Sequence, residues 1–152
     1  MERESGKGLG LLKQNYLVPV DGSDHSLRAL AYAIEHAKET DNGILLVHVQ
    51  PEYDTHNIRR FITKEQIKEY QQEMADEAFL AAEPLLSQSD VTVEKVLLTG
   101  VASDEICRLA RKEKVKGIIM GSRGLGRVKG SVLGSISYSV LHTADVPVTV
   151  VP

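Results

Sequence analysis

The sequence predicts a doubly wound α/β domain: an open five-stranded parallel sheet with helices on both faces. Three observations lead there. Apolar runs of strand length alternate with stretches of helical periodicity in the order β-α-β-α-β-α-β-α-β, which implies right-handed crossovers and a parallel sheet. The runs at residues 16–20 (YLVPV), 44–49 (ILLVHV) and 117–120 (GIIM) are almost continuously apolar, as strands covered on both faces must be. The third run opens directly into glycines and then into a new helical pattern, an arrangement that turns backbone N–H groups toward an anion.

Taken in order, residues 1–15 (MERESGKGLGLLKQN) read as a mobile tail, with three glycines and little periodicity. Its SGKG lacks the spacing of a phosphate loop and follows no strand. The first strand follows at 16–20, with Pro19 near its end. Asp21-Gly22-Ser23-Asp24 makes a turn in which Ser23 or Asp24 can cap a helix over 26–40. Leu27, Leu30, Ala31, Ile34 and Ala37 form its apolar stripe, and Asp41-Asn42-Gly43 stops it. After the second strand, residues 50–62 show no clear period. Thr63 and Gln66 form a capping box for a long helix to about residue 87, which Pro84 should kink or shorten. Residues 91–98 alternate apolar and polar, which suits a sheet edge. A helix over 103–114 buries Ile106, Leu109 and Ala110. After the glycine stretch, Leu133, Ile136, Val140 and Leu141 recur at helical spacing, and residues 148–151 form a last short strand.

Composition narrows the function classes. At 152 residues the chain suits one domain with a sizeable core. A net charge of −3 argues against a general nucleic-acid or membrane binder. A single cysteine, Cys107, excludes an internal disulfide and gives no basis for a thiolate metal site. No apolar run is long enough to span a membrane, and a reducing cytoplasm is the expected compartment.

The most informative stretch is 117–137, GIIMGSRGLGRVKGSVLGSIS. Gly121, Gly124, Gly126, Gly130 and Gly134 allow positive φ or close approach to a ligand. Ser122, Ser131, Ser135 and Ser137 add hydroxyls, and Arg123, Arg127 and Lys129 add positive charge. No Asp or Glu occurs from Lys114 to Ala144, although the whole chain is acidic. Phosphate is the natural ligand for such a loop. A parallel sheet binds ligands beyond the C-terminal ends of its strands, where strand order reverses. If the first and fourth strands are neighbours, Asp21 and Gly121 emerge on the two sides of that crevice, a carboxylate for ribose beside a cradle for phosphate. Asp21 can also close an Asx turn before Gly22. His48 reads as a packed core histidine. The remaining histidines have no metal-ligand spacing, no serine lies in a nucleophile elbow, and no water-activating base can be assigned.

Gly121-x-x-Gly124, nine residues, then Gly134-Ser135, together with the segment Pro19-Val20-Asp21-Gly22-Ser23, resembles the universal stress protein family, in its nucleotide-binding branch. The ending Ala144-Asp145-Val146-Pro147-Val148-Thr149-Val150-Val151 and the LLVHV strand are similar to that family as well. The resemblance covers nearly all of 16–152. It implies the strand order 3-2-1-4-5 and a nucleotide, ATP or AMP, with Mg2+ as a candidate companion. Carried over by position, Pro19, Val20 and Asp21 line the adenine and ribose side, and Val49 touches the base. Met120, Gly121, Arg123 and Gly124 wrap the ribose and first phosphates. Gly134, Ser135, Ile136 and Ser137 close over the phosphates, Ser135 with its hydroxyl. The resemblance also implies a homodimer through the last strand and a regulatory, stress-response role. The alternatives are an adenylating enzyme of the adenine-nucleotide alpha-hydrolase type and a nucleotide-free structural dimer. The first lacks its loop here, since Asp21-Gly22-Ser23-Asp24-His25-Ser26 has no paired glycines; the intact glycine spacing argues against the second.

Overall fold

The structure, a computed structural model, describes residues 14–124 and 133–152. Five parallel strands, β1 (Asn15–Pro19), β2 (Gly43–Gln50), β3 (Val93–Thr99), β4 (Gly117–Gly121) and β5 (Val148–Val151), form one sheet in the order β3-β2-β1-β4-β5. The helices are α1 (Asp24–Thr40), α2 (His56–Arg59), α3 (Lys64–Leu86), α4 (Ala102–Lys112) and α5 (Ser135–Thr143). The expected architecture and strand order are both present. The expected tail to residue 13 lies outside the described residues, and Asn15, assigned to that tail, already belongs to β1.

The central strands alternate between two apolar layers because successive side chains point to opposite faces. Tyr16, Val18, Ile44, Leu46 and Ile119 face α1 and α3, where Ala29, Leu30, Ala33, Ile34, Ala75 and Phe79 meet them. Leu17, Leu45, Val47, Ile118 and Met120 face Ile106, Cys107 and Ala110 of α4 and Val140 of α5. Both faces are dry, which is why these strands read as apolar runs rather than as alternations.

Local signals set the element ends. Ser23 caps α1 by accepting from the Ser26 amide, so the helix begins at Asp24. Asp41 rather than glycine takes the left-handed position at its C-terminus, φ 52°, and Gly43 is already in β2. On α1, Leu30, Ile34 and Ala37 are buried as expected, and the rest of the buried stripe runs through Ser26, Ala29 and Ala33 rather than Leu27 and Ala31. Thr63 and Gln66 close a reciprocal capping box at α3. Pro84 does not end that helix early, which continues to Leu86. The segment after β2 contains the four-residue helix α2, which apolar periodicity could not reveal because it buries nothing. On α5, Val140 is buried as expected, but Ile136 and Leu141 are 45% and 43% exposed. The helix is too short to bury its whole apolar stripe.

One feature of β1 shapes the sheet. It pairs with β2 over five residues, to Pro19↔Val47, but with β4 only at Tyr16↔Gly117 and Leu17↔Ile118. The Val20 amide donates to Val47 O on β2 at 2.8 Å. Backbone groups alternate sides along a strand, so residue 19 faces β4, and proline has no N–H to donate there. The β1–β4 ladder therefore stops below Pro19, and the two strands are unpaired where the chain leaves the sheet.

Leu45 is fully buried between the layers, whereas Leu80 on α3 is 72% exposed. Leu45→Ala should lower unfolding free energy by about 2–5 kcal/mol in urea titrations, and Leu80→Ala by less than about 0.5 kcal/mol. Equal effects would contradict the two-layer core.

Candidate functional site

The unpaired ends of β1 and β4 border a cleft of about 90 Å3. From β1 come Pro19, Val20 and Asp21; from β2 comes Val49; from β4 and its exit come Met120, Gly121, Arg123 and Gly124; from α5 come Ile136 and Ser137. These residues were expected together and are together. Gly134 and Ser135 stand just outside the lining, at the start of α5. Arg127, Lys129, Gly126, Gly130 and Ser131 lie outside the described residues.

Asp21 closes a turn and lines the cleft. Its Oδ1 accepts from the Ser23 amide at 2.9 Å, an Asx turn. The motif glycines owe their place to close approach rather than to backbone freedom. Gly22 and Gly100 are the described glycines with positive φ, and none belongs to the motif. A Cβ on Gly124 would lie 2.5 Å from Asp21 Oδ2, so Gly124 lies directly against the carboxylate. A Cβ on Gly121 would lie 2.8 Å from the His25 backbone, so β4 ends against the first turn of α1.

The start of α5 is held by two bonds. Gly134 N–H donates to Ser122 O at 2.7 Å, and Ser137 Oγ donates to Gly121 O at 2.8 Å. The Ser137 hydroxyl thus ties α5 to the end of β4. Gly134 is the N-cap and supplies no side-chain cap. The first-turn amides of a helix have no partner within it, so this end of α5 presents donors and the positive end of a dipole beside the cleft. Ser135 is exposed at that end.

The cleft also has walls that no motif marked. Ala102 and Ile106 of α4, Ser26 of α1, and Val47 and His48 of β2 complete it. Ala102 and Ile106 belong to an ordinary amphipathic helix, so nothing in their spacing separates a wall from a core face. A larger groove, about 790 Å3, runs along the free edge of β3 between charged residues of both signs, away from the glycine loop. Its volume reflects an open sheet edge, and the convergence of glycine, carboxylate and helix start lies in the smaller cleft.

Cys107 is buried, and desolvation pushes its thiol above the usual range, away from the reactive thiolate. Among the described residues, no group of three or more His, Cys, Asp or Glu side chains comes together to hold a metal, and no helix is long and apolar enough to cross a membrane.

The sequence profile of the universal stress protein family matches residues 14–152. The chain belongs to the universal stress protein family. A universal stress protein of Methanocaldococcus jannaschii is 31% identical over 140 residues, spanning 92% of this chain and 82% of that one. A second protein of that organism, of known structure, superposes with a TM-score of 0.74 at 26% identity, over 93% of this chain and 96% of its own. The universal stress protein of Archaeoglobus fulgidus solved in complex with dAMP shares the fold, with a TM-score of 0.64 at 22% identity over 91% and 98% of the two chains.

Gly121→Ala must push the backbone of His25 away from β4. It should destabilise this universal stress protein by about 1–3 kcal/mol in thermal or urea melts. Gly124→Ala meets the end of a side chain, which can turn aside. Its effect on stability should be under about 1 kcal/mol. The reverse ranking would refute the described packing at the two glycines.

Proposed function

We propose that this protein binds an adenine nucleotide, ATP or AMP, in the cleft between β1 and β4, and that it is a regulatory, stress-response protein of the cytoplasm. The observation that carries the reading is the convergence of Asp21, Gly121 and Gly124 where the β1–β4 ladder stops, with the N-terminus of α5 alongside. Family membership and the dAMP-bound relative are in keeping with it.

Each wall has a task in this reading. Val49, Ala102 and Ile106 offer apolar surface to the base. The Asp21 carboxylate accepts from ribose hydroxyls. Gly121 and Gly124, lacking Cβ atoms, let phosphate approach the backbone. Arg123 and the first-turn amides of α5, from Ser135 on, meet the negative charge. Mg2+ would be held mainly by the phosphates of ATP, with Asp21 the carboxylate within the cleft lining. A cleft of about 90 Å3 is below the several hundred Å3 typical of small-molecule sites. In this reading nucleotide entry parts Gly124 from Asp21. The reading assigns no general base, so binding is its main function and any ATP hydrolysis would be slow.

The same reading includes a homodimer through β5, a free sheet edge. Pro147 O and Val151 O accept from β4, so the backbone N–H groups of Val148 and Val150 point outward. Their side chains pack inward against the α4–α5 layer.

Calorimetric titration tests the site. ATP should bind more tightly than adenosine, with the gap narrowing as salt rises. Gly124→Val and Gly134→Val should each weaken ATP by more than about tenfold, a loss of about 1.4 kcal/mol. If both variants fold and bind ATP like the parent, or if adenosine matches ATP at low salt, the phosphate site is elsewhere.

Val150→Pro removes an outward N–H without touching the bonds to β4. It should shift sedimentation toward the monomer while circular dichroism shows the fold retained. A sedimentation profile identical to the parent's would place any dimer contact on another surface.

A further inference from the structure

His48, one wall of the cleft, belongs to a chain of hydrogen bonds that ends at Asp21. It is 6% exposed, and its ring meets the edge of Phe79 at 6.4 Å between centroids. Its Nδ1 is 2.8 Å from Val20 O. A carbonyl only accepts, so Nδ1 carries the hydrogen. The other nitrogen, Nε2, is 2.8 Å from Gln50 Nε2 and accepts from that amide. Gln50 is itself 8% exposed, and its Oε1 is buried without a hydrogen-bond partner. Reversing the amide would set that oxygen against Nε2, acceptor against acceptor. Gln50 therefore holds His48 in the tautomer that donates to Val20, at the expense of its own oxygen.

The peptide that His48 grips from one side is held from the other. The Asp21 amide donates to Ser26 Oγ at 3.4 Å, Ser26 Oγ donates to Ser23 O at 2.9 Å, and the Ser23 amide returns to Asp21 Oδ1 at 2.9 Å. The plane between Val20 and Asp21 is thus fixed at its carbonyl by β2 and at its amide by α1. Rotation of that plane would swing the Asp21 side chain out of the cleft. No ladder to β4 resists such rotation, because pairing stops at Leu17.

We infer that His48 is a positioning residue for the cleft: with its tautomer set by Gln50, it holds the Val20–Asp21 peptide so that the Asp21 carboxylate faces the ligand. This rests on the adenine-nucleotide reading of the site, and it makes His48 more than packing.

A double-mutant cycle on the full chain, with ATP and adenosine as probes, tests it. His48→Leu should weaken both about fivefold or more, and His48→Asn, whose amide can donate to Val20 O, should stay within about twofold of the parent. In an Asp21→Ala background, His48→Leu should add nothing further. Independent multiplication of the two losses, parent-like binding by His48→Leu, or parent-like binding by Asp21→Ala would each overturn the inference. Two ligand-free measurements stand apart from the nucleotide reading. Nitrogen-15 spectra of the parent should show the His48 Nδ1–H tautomer; the Nε2–H tautomer would overturn the inference even if His48→Leu fails to fold. Amide exchange at Asp21 and Ser23 should quicken in His48→Leu relative to Leu17 and stay parent-like in His48→Asn; unchanged exchange would overturn it. Absence of ATP binding by the parent would sink the nucleotide reading, and these two measurements would still decide what His48 holds.

Discussion

The structure depends on a hydrogen bond that cannot form. Pro19 has no N–H to offer β4, and the central ladder of the sheet ends two residues below it. Everything specific to the site follows from that break. Asp21 leaves the sheet on one side, Gly121 on the other, and the space between them is bounded by groups that need not pair with one another. β2, paired along the whole of β1 and held at His48 and Val49 by β3, supplies the rigid wall. A continuous β1–β4 ladder would make a more regular sheet and close the cleft.

Two kinds of restraint keep the break from becoming disorder. On the β4 side, Ser137 and Gly134 fasten α5 to Gly121 and Ser122. Ser122 N–H in turn reaches Val151 O at 2.9 Å, so the exit of β4 is joined to the end of β5. On the β1 side, the capping of α1 and the Asx turn of Asp21 share Ser23 and Ser26. The same few polar atoms that start a helix also orient a carboxylate. Such economy is possible because a helix N-terminus needs acceptors in the place where a parallel sheet leaves its binding crevice.

The fold was largely legible in the sequence because it is written in periodicity. Buried parallel strands give continuous apolar runs, and Thr63 with Gln66 marked a helix start that the structure reproduces bond for bond. The site was legible in outline: the glycine spacing and Asp21 pointed to neighbouring strand ends, and the lining contains most of what was named. What stayed hidden has a common cause. Ala102 and Ile106 look like any amphipathic helix, and their role depends on which strand end lies opposite. The bond from the Ser137 hydroxyl to Gly121 O, which ties α5 to β4, left no trace in the spacing. Gly124 is there for the space a Cβ would occupy, which spacing alone cannot separate from a need for positive φ. The stripe of α5 overstated its burial because periodicity records a face and not the area available to cover it.

The short contact between β1 and β4 bears on what assembly of the molecule costs. Tyr16 and Gly117 pair across about a hundred residues of chain, whereas β1 and β2 meet across about thirty. Closing the longer loop costs more chain entropy, and only two register pairs repay it directly. The β1-α1-β2 unit thus carries the lower loop-closure cost, and docking of β4 the higher. The cleft is the seam of that costlier contact, so the candidate site and the complete sheet depend on the same docking.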